Sequence, residues 1–190
     1  MQKGILFVVS GPSGVGKGTV IKEVLSENPN ISFSISATTR SPREGEKNGE
    51  HYYFISKEEF LSKIENDEFL EWSEHFENYY GTLKSHVYEK MESGKDIILD
   101  IEVNGATSLL EQKTQAVYIF IAPPSLDILK ERLLTRNSER DEKIKKRIER
   151  AEWEMSFSGK YDYILINDIL EKCVYDLKSI INAEHCKNNR

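Results

Sequence analysis

At 190 residues the chain has room for one compact domain, with or without a small inserted lobe, and for a substantial core. A formal net charge of −6 argues against a general nucleic-acid binder or a membrane-surface protein, so any bound anion must be met by a local cluster of positive groups. With 38% hydrophobic and 31% charged residues the composition is that of a soluble protein, and no segment approaches the roughly 20 apolar residues of a membrane span.

Ile5 to Val9 is a β-branched and aromatic run suited to a buried strand. It leads into Gly11-Pro12-Ser13-Gly14-Val15-Gly16-Lys17, and then into a helical pattern of Val20, Ile21, Val24 and Leu25. Strand, glycine-rich turn and helix, with these spacings, predict a phosphate-binding P-loop. Glycines let backbone N–H groups turn inward around a polyphosphate, the helix N-terminus adds partial positive charge, and Lys17 supplies a full one. The place directly after the lysine, usually Ser or Thr, holds Gly18, with Thr19 next. The hydroxyl facing Mg2+ is assigned to Thr19, although a shift of one residue rotates a helical side chain by about 100°.

Asn28-Pro29-Asn30 marks a turn, and Ile31 to Ile35 can form a strand. The polar stretch that follows carries Arg40 and Arg43 on a loop or extended segment, because Pro42, Gly45, Asn48 and Gly49 disfavour helix. His51 to Ile55 reads as a strand. Ser56 and Glu59 match a capping box that opens a helix to about Asn66. Phe69 to Trp72 reads as a strand, Asn78 to Thr82 as a turn, and Val87 with Met91 as a helix stopped by Gly94. This stretch, rich in strands and turns, predicts a lobe at 34–83 inserted into a core formed by 1–33 and 84–190.

The core resumes with the apolar strand Ile97 to Ile101, which carries Asp100 and Glu102 at its end. Asp100 suits either of two roles, holding Mg2+ directly or through water, or capping the next helix. A helix is predicted around Thr107 to Gln112, a buried strand over Ala116 to Ile121, and a helix cap at Ser125. Between Glu131 and Glu154 eight basic and seven acidic residues describe a solvated helical face, from which composition singles out no arginine. A last strand over Tyr163 to Ile166 and a helix from about Ile169 to Ala183 complete the pattern. Weakly alternating strands separated by helices predict an α/β fold with a parallel sheet covered on both faces. Ligands of such sheets bind beyond the carboxyl ends of the strands, where the P-loop, Asp100 and Asn167 fall. Two cysteines, Cys173 and Cys186, and four scattered histidines fit a reduced cytoplasmic protein without a zinc site.

The loop GPSGVGKGT, the segments SATTRSPREGEKNGEHYYF and EFLEWSEHFENYYGT, the strand IILDIEVNG, IFIAPPS and ILIND together resemble the guanylate kinase family from Gly4 to about Ile180. The second and third motifs carry most of that resemblance, since a P-loop alone indicates only a nucleoside triphosphatase or kinase. The resemblance implies a P-loop kinase fold with a GMP-binding lobe at 34–83 and a lid at about 131–154. It also implies transfer of the γ-phosphoryl group of ATP, with Mg2+, to GMP and dGMP. A kinase for another nucleoside monophosphate, or a non-catalytic binding domain of the same shape, is the alternative.

By the same resemblance Gly11, Pro12, Ser13, Gly14, Val15, Gly16, Lys17, Gly18 and Thr19 bind ATP, with Asn167 against its adenine. Arg40, Arg43, Tyr52 and Tyr80 bind the GMP phosphate. Glu46 belongs to the same GMP-binding set. Ser36, Glu71, Thr82 and Glu102 surround the guanine, Glu71 taking its N1–H and amino donors and Thr82 serving O6. Lys17, Arg40, Arg136 and Arg147 act on the transferring phosphoryl group, with Arg132 a weaker candidate, and Thr19 and Asp100 are the metal-facing candidates, Asp100 directly or through water or else as a helix cap. The substrates implied are small molecules, with no nucleic acid or membrane partner.

Overall fold

The computed structural model describes residues 3–75, 77–136 and 141–187; the side chains of His75, Thr135, Arg136 and residues 141–144 lie outside that description. The predicted phosphate contact of Arg136 therefore lies outside the described residues.

The elements in chain order are β1 (Leu6–Ser10), α1 (Lys17–Glu27), β2 (Ile31–Phe33), β3 (Ala37–Thr38), β4 (Tyr53–Phe54), α2 (Lys57–Glu65), β5 (Phe69–His75) and β6 (Asn78–Leu83). They continue with α3 (Lys84–Glu92), β7 (Asp96–Asp100), α4 (Val103–Glu111), β8 (Val117–Ala122), α5 (Leu126–Arg136), α6 (Asp141–Met155), β9 (Tyr163–Ile166) and α7 (Leu170–His185). The strands form two sheets, ordered β2-β7-β1-β8-β9 and β4-β3-β6-β5. In the first, β2 runs parallel to β7 and β8 parallel to β9. β1 and β8 are buried throughout, as unbroken apolar runs must be in a sheet covered on both faces.

The chain divides into two compact units, of which the first comprises Met1–Phe7, Asn30–Leu99 and Asn104–Ala116. Its smaller core joins Ala37, Phe60, Phe69 and Leu83, with Phe60 stacked on Phe69 at 4.2 Å between ring centres. Ser56 caps α2 as its sequence foretells, its hydroxyl accepting from the Glu59 amide at 3.1 Å.

Asn78 to Thr82 is not a turn. It forms β6, antiparallel to β5 with Glu71 opposite Thr82 and Ser73 opposite Tyr80. Gly81, which suggested a turn, is needed for close approach: a Cβ there would lie 2.8 Å from the Phe69 ring and 2.9 Å from Trp72 Cβ. α4 likewise starts four residues before the predicted Thr107, because Val103, Ala106 and Leu109 extend one buried face.

The second unit comprises Val8–Pro29, Asp100–Val103 and Val117–Arg190. Here α1 packs against α7, and Leu129, Leu133 and Ala151 form a cluster between α5 and α6 with Ile148 against it. Ser125 caps α5 by accepting from the Ile128 amide at 3.2 Å. Among the described residues no helix is long and apolar enough to cross a membrane.

Candidate active site

In the second unit, β1 delivers the chain to the loop 11–16, and α1 begins at Lys17. Gly16 stands before the helix with φ of 91°, a left-handed conformation, and a Cβ there would lie 2.7 Å from the side-chain nitrogen of Asn167. Asn167 braces the loop by donating its amide to the Val15 carbonyl at 2.8 Å, and Arg132 donates to the Asn167 carbonyl at 2.8 Å. The first amides of α1 have no acceptor within the helix, so the loop and helix end present donors that suit an anion.

The Lys17 ammonium lies 2.5 Å from Asp100 Oδ1 and 3.2 Å from the Ile101 carbonyl, which joins the P-loop lysine to the end of β7. Thr19 is exposed in the first turn of α1. Arg147 on α6 donates to the Ser13 hydroxyl at 3.2 Å. Glu102 accepts from Arg150 at 3.0 Å, and Arg150 also donates to Glu154 at 3.1 Å. Burial pushes the Glu154 carboxyl above the usual range, against the opposing pull of Arg150.

In the first unit, Arg40 follows β3 and its amide donates to Thr38 Oγ1 at 3.2 Å. Its guanidinium forks onto Glu46 with both bonds at 2.9 Å, and it also donates to the Ser41 carbonyl at 2.7 Å. The Arg43 amide donates to the same carboxylate at 2.7 Å. These donors, Arg40 first, hold the Glu46 carboxyl down to about 2. Glu46 and, more weakly, Tyr80 raise the Arg40 pKa in turn, partly opposed by desolvation. The Arg40 guanidinium lies 5.5 Å from the centre of the Tyr52 ring, which meets Tyr80 edge-on at 6.1 Å. Four of the predicted phosphate-binding or neighbouring side chains, Arg40, Glu46, Tyr52 and Tyr80, thus stand together, while Arg43 joins through its backbone and exposes its side chain.

Glu71 and Thr82 face each other across the β5–β6 pair, and Thr82 Oγ1 donates to Glu71 Oε1 at 2.7 Å in a buried contact. A carboxylate only accepts, so the Thr82 proton is directed at Glu71 and is not presented to a guanine O6 as the sequence reading expects. Ser36 lies half-buried just before β3, its carbonyl accepting from the Tyr53 amide at 2.9 Å.

Sequence reasoning missed Arg150 and Glu154. Both sat in a stretch whose balanced charge read as solvent-facing, yet Arg147, Ala151 and Glu154 recur at helical spacing, and Ala151 and Glu154 are buried at 1% and 4% exposure.

The guanylate kinase family profile matches residues 3–184 of the chain. Guanylate kinase of Carboxydothermus hydrogenoformans is 48% identical over 190 residues, spanning 100% of this chain and 93% of that protein. Guanylate kinase of Halalkalibacterium halodurans is 49% identical over 189 residues, again spanning 100% and 93%. Among solved structures, guanylate kinase from Anaplasma phagocytophilum matches with a TM-score of 0.77 at 34% identity, covering 98% of this chain and 89% of that one.

Proposed function

The chain belongs to the guanylate kinase family, and on that premise we propose that its two residue clusters hold the two substrates of one phosphoryl transfer. Residues 11–19 take the triphosphate of ATP, and Arg40, Arg43, Tyr52 and Tyr80 take the phosphate of GMP in the lobe of residues 34–83. The γ-phosphoryl group passes directly to the GMP phosphate, giving ADP and GDP.

No protein nucleophile is required, because the phosphate of GMP is itself the nucleophile. The protein aligns the two nucleotides and neutralises charge. Lys17 leaves Asp100 for the phosphates, exchanging one anionic partner for another. Asp100 and Thr19 then offer hard oxygen donors that suit Mg2+, which takes one or two protein oxygens beside phosphates and water. When bound with ATP, Mg2+ neutralises charge on the β- and γ-phosphates. Arg147 reaches the transferring group.

Glu46 keeps Arg40 oriented while leaving guanidinium protons for the GMP phosphate. Glu71 reads the N1–H and 2-amino donors of guanine, Thr82 fixes the angle of that carboxylate, and Ser36 completes the base contacts. Adenine presents an acceptor at N1 and would leave Glu71 without its partner, a mismatch worth as much as about 10⁴ in discrimination. Asn167 braces the loop through its amide N–H and offers its amide oxygen to the adenine of ATP. A cytosolic location belongs to the same reading and is supported by the two free cysteines.

The observation that carries this reading is the buried Thr82–Glu71 contact, a carboxylate pre-set to accept from a base, in a chain that also owns a P-loop lysine. ADP release with GMP, dGMP, AMP, CMP and UMP as acceptors tests it. Turnover confined to the guanine nucleotides supports the proposal, and equal turnover with AMP overturns it.

A further inference from the structure

Glu154 is 4% exposed, lies near the C-terminal end of α6, and was assigned no part in the reaction above. Its two carboxylate oxygens meet two donors from different places. Oε2 accepts from the backbone amide of Ser13 in the P-loop at 3.3 Å, and Oε1 accepts from Arg150 Nε at 3.1 Å. Arg150 continues to Glu102 just beyond β7. Two turns earlier on α6, Arg147 reaches the Ser13 hydroxyl. The same helix pair supports the loop by packing: Leu133 of α5 lies where a Cβ on Gly14 would fall, 2.7 Å away, and Ala151 packs with Leu129 and Leu133. We propose that Glu154 is a positioning residue for ATP, its buried carboxylate fixing the Ser13 amide and thereby the P-loop on α6. This rests on the reading of residues 11–19 as the ATP loop.

The chemistry demands a carboxylate. Both neighbours are donors, and a glutamine of the same volume would have to turn its NH2 group toward one of them. A side chain that merely fills space is replaced by glutamine at little cost, whereas one that must accept twice is not. Glu154→Gln and Glu154→Ala therefore answer different questions, and Gln decides.

The experiment measures KM for ATP and for GMP, with calorimetric Kd values for both nucleotides, in the wild-type chain and in both variants. Because a hydrogen bond to a charged group is typically worth a factor of about ten or more, both variants raise KM and Kd for ATP at least about tenfold. They leave the Kd for GMP within about twofold, since Arg150 keeps its own bond to Glu102 and neither Arg40 nor Glu71 is changed, and that unchanged value also certifies the fold. Wild-type ATP affinity in Glu154→Gln overturns the proposal. So does an equal loss for both nucleotides, which marks general destabilisation, and so does tighter ATP binding, which marks Glu154 as a competitor of phosphate. Failure of the wild-type chain to phosphorylate GMP would instead strike the functional reading itself.

Discussion

Lys17 and Asp100 are ion-paired at 2.5 Å, so that the lysine of the phosphate loop and the acidic residue closing β7 neutralise each other before any nucleotide arrives. The pair holds the ammonium at the end of β7. Replacing Lys17 by Ala removes the only full charge of the loop itself, and transition-state charge is where such a group acts. Lys17→Ala is expected to lower kcat by about 10³ or more while GMP affinity stays within about twofold. Steady-state kinetics with calorimetry of GMP checks both halves, and near-normal turnover would contradict the role given to Lys17.

The Arg40–Glu46 fork carries a pH signature. The Glu46 carboxyl, held by Arg40 and by the Arg43 amide, titrates at about 2 in the folded chain against an ordinary value near 4.5. A depressed carboxyl stabilises the fold fully above its unfolded pKa, and that contribution disappears as pH falls from about 4.5 through about 2. Carboxyl carbon NMR is expected to show a midpoint near 2, and a midpoint near 4.5 would show the fork to be open in solution. Changes in KM for GMP between pH 5 and 7 then do not come from Glu46.

Thr82→Val preserves shape and removes one hydroxyl. The buried Glu71 oxygen loses the Thr82 donor at a cost of about 1–3 kcal/mol, and with it one restraint on the carboxylate. The expected outcome is a lower melting temperature and a rise of about tenfold in Kd for GMP, with ATP affinity unchanged. Unchanged GMP binding would assign the contact to folding alone.

Gly16→Ala tests the loop conformation. The backbone there has φ of 91°, and an added Cβ would sit 2.7 Å from the Asn167 amide that holds Val15. Both strain and displacement of the brace act on the phosphate cradle, so ATP affinity is expected to fall well beyond the loss in thermal stability. Paired measurement of melting temperature and ATP Kd separates the two effects.

The P-loop and the core strands were legible in the sequence because their signals are local: a glycine spacing beside a lysine, and apolar runs too continuous for one-sided burial. The acceptor cluster was not legible from residue pattern alone. Glu71 meets Thr82, eleven positions away, through the register of β5 on β6, and Tyr80 lies opposite Thr38 through the register of β6 on β3. Register is a tertiary property, and Asn78 to Gly81 has the composition of a turn although its glycine serves strand packing. Only family resemblance could nominate those residues. Glu154 escaped for the opposite reason. Its helix carries so many balanced charges that one buried carboxylate among them is invisible until the Ser13 amide is seen to point at it.

The central claim, that guanine is read by a carboxylate in a site separate from the one that holds ATP, is tested most directly by calorimetry of Glu71→Gln with GMP and with ATP. A glutamine offers one acceptor where guanine presents two donors, so Kd for GMP is expected to rise about tenfold or more while Kd for ATP stays within about twofold. Equal changes for both nucleotides, or none for GMP, would contradict it.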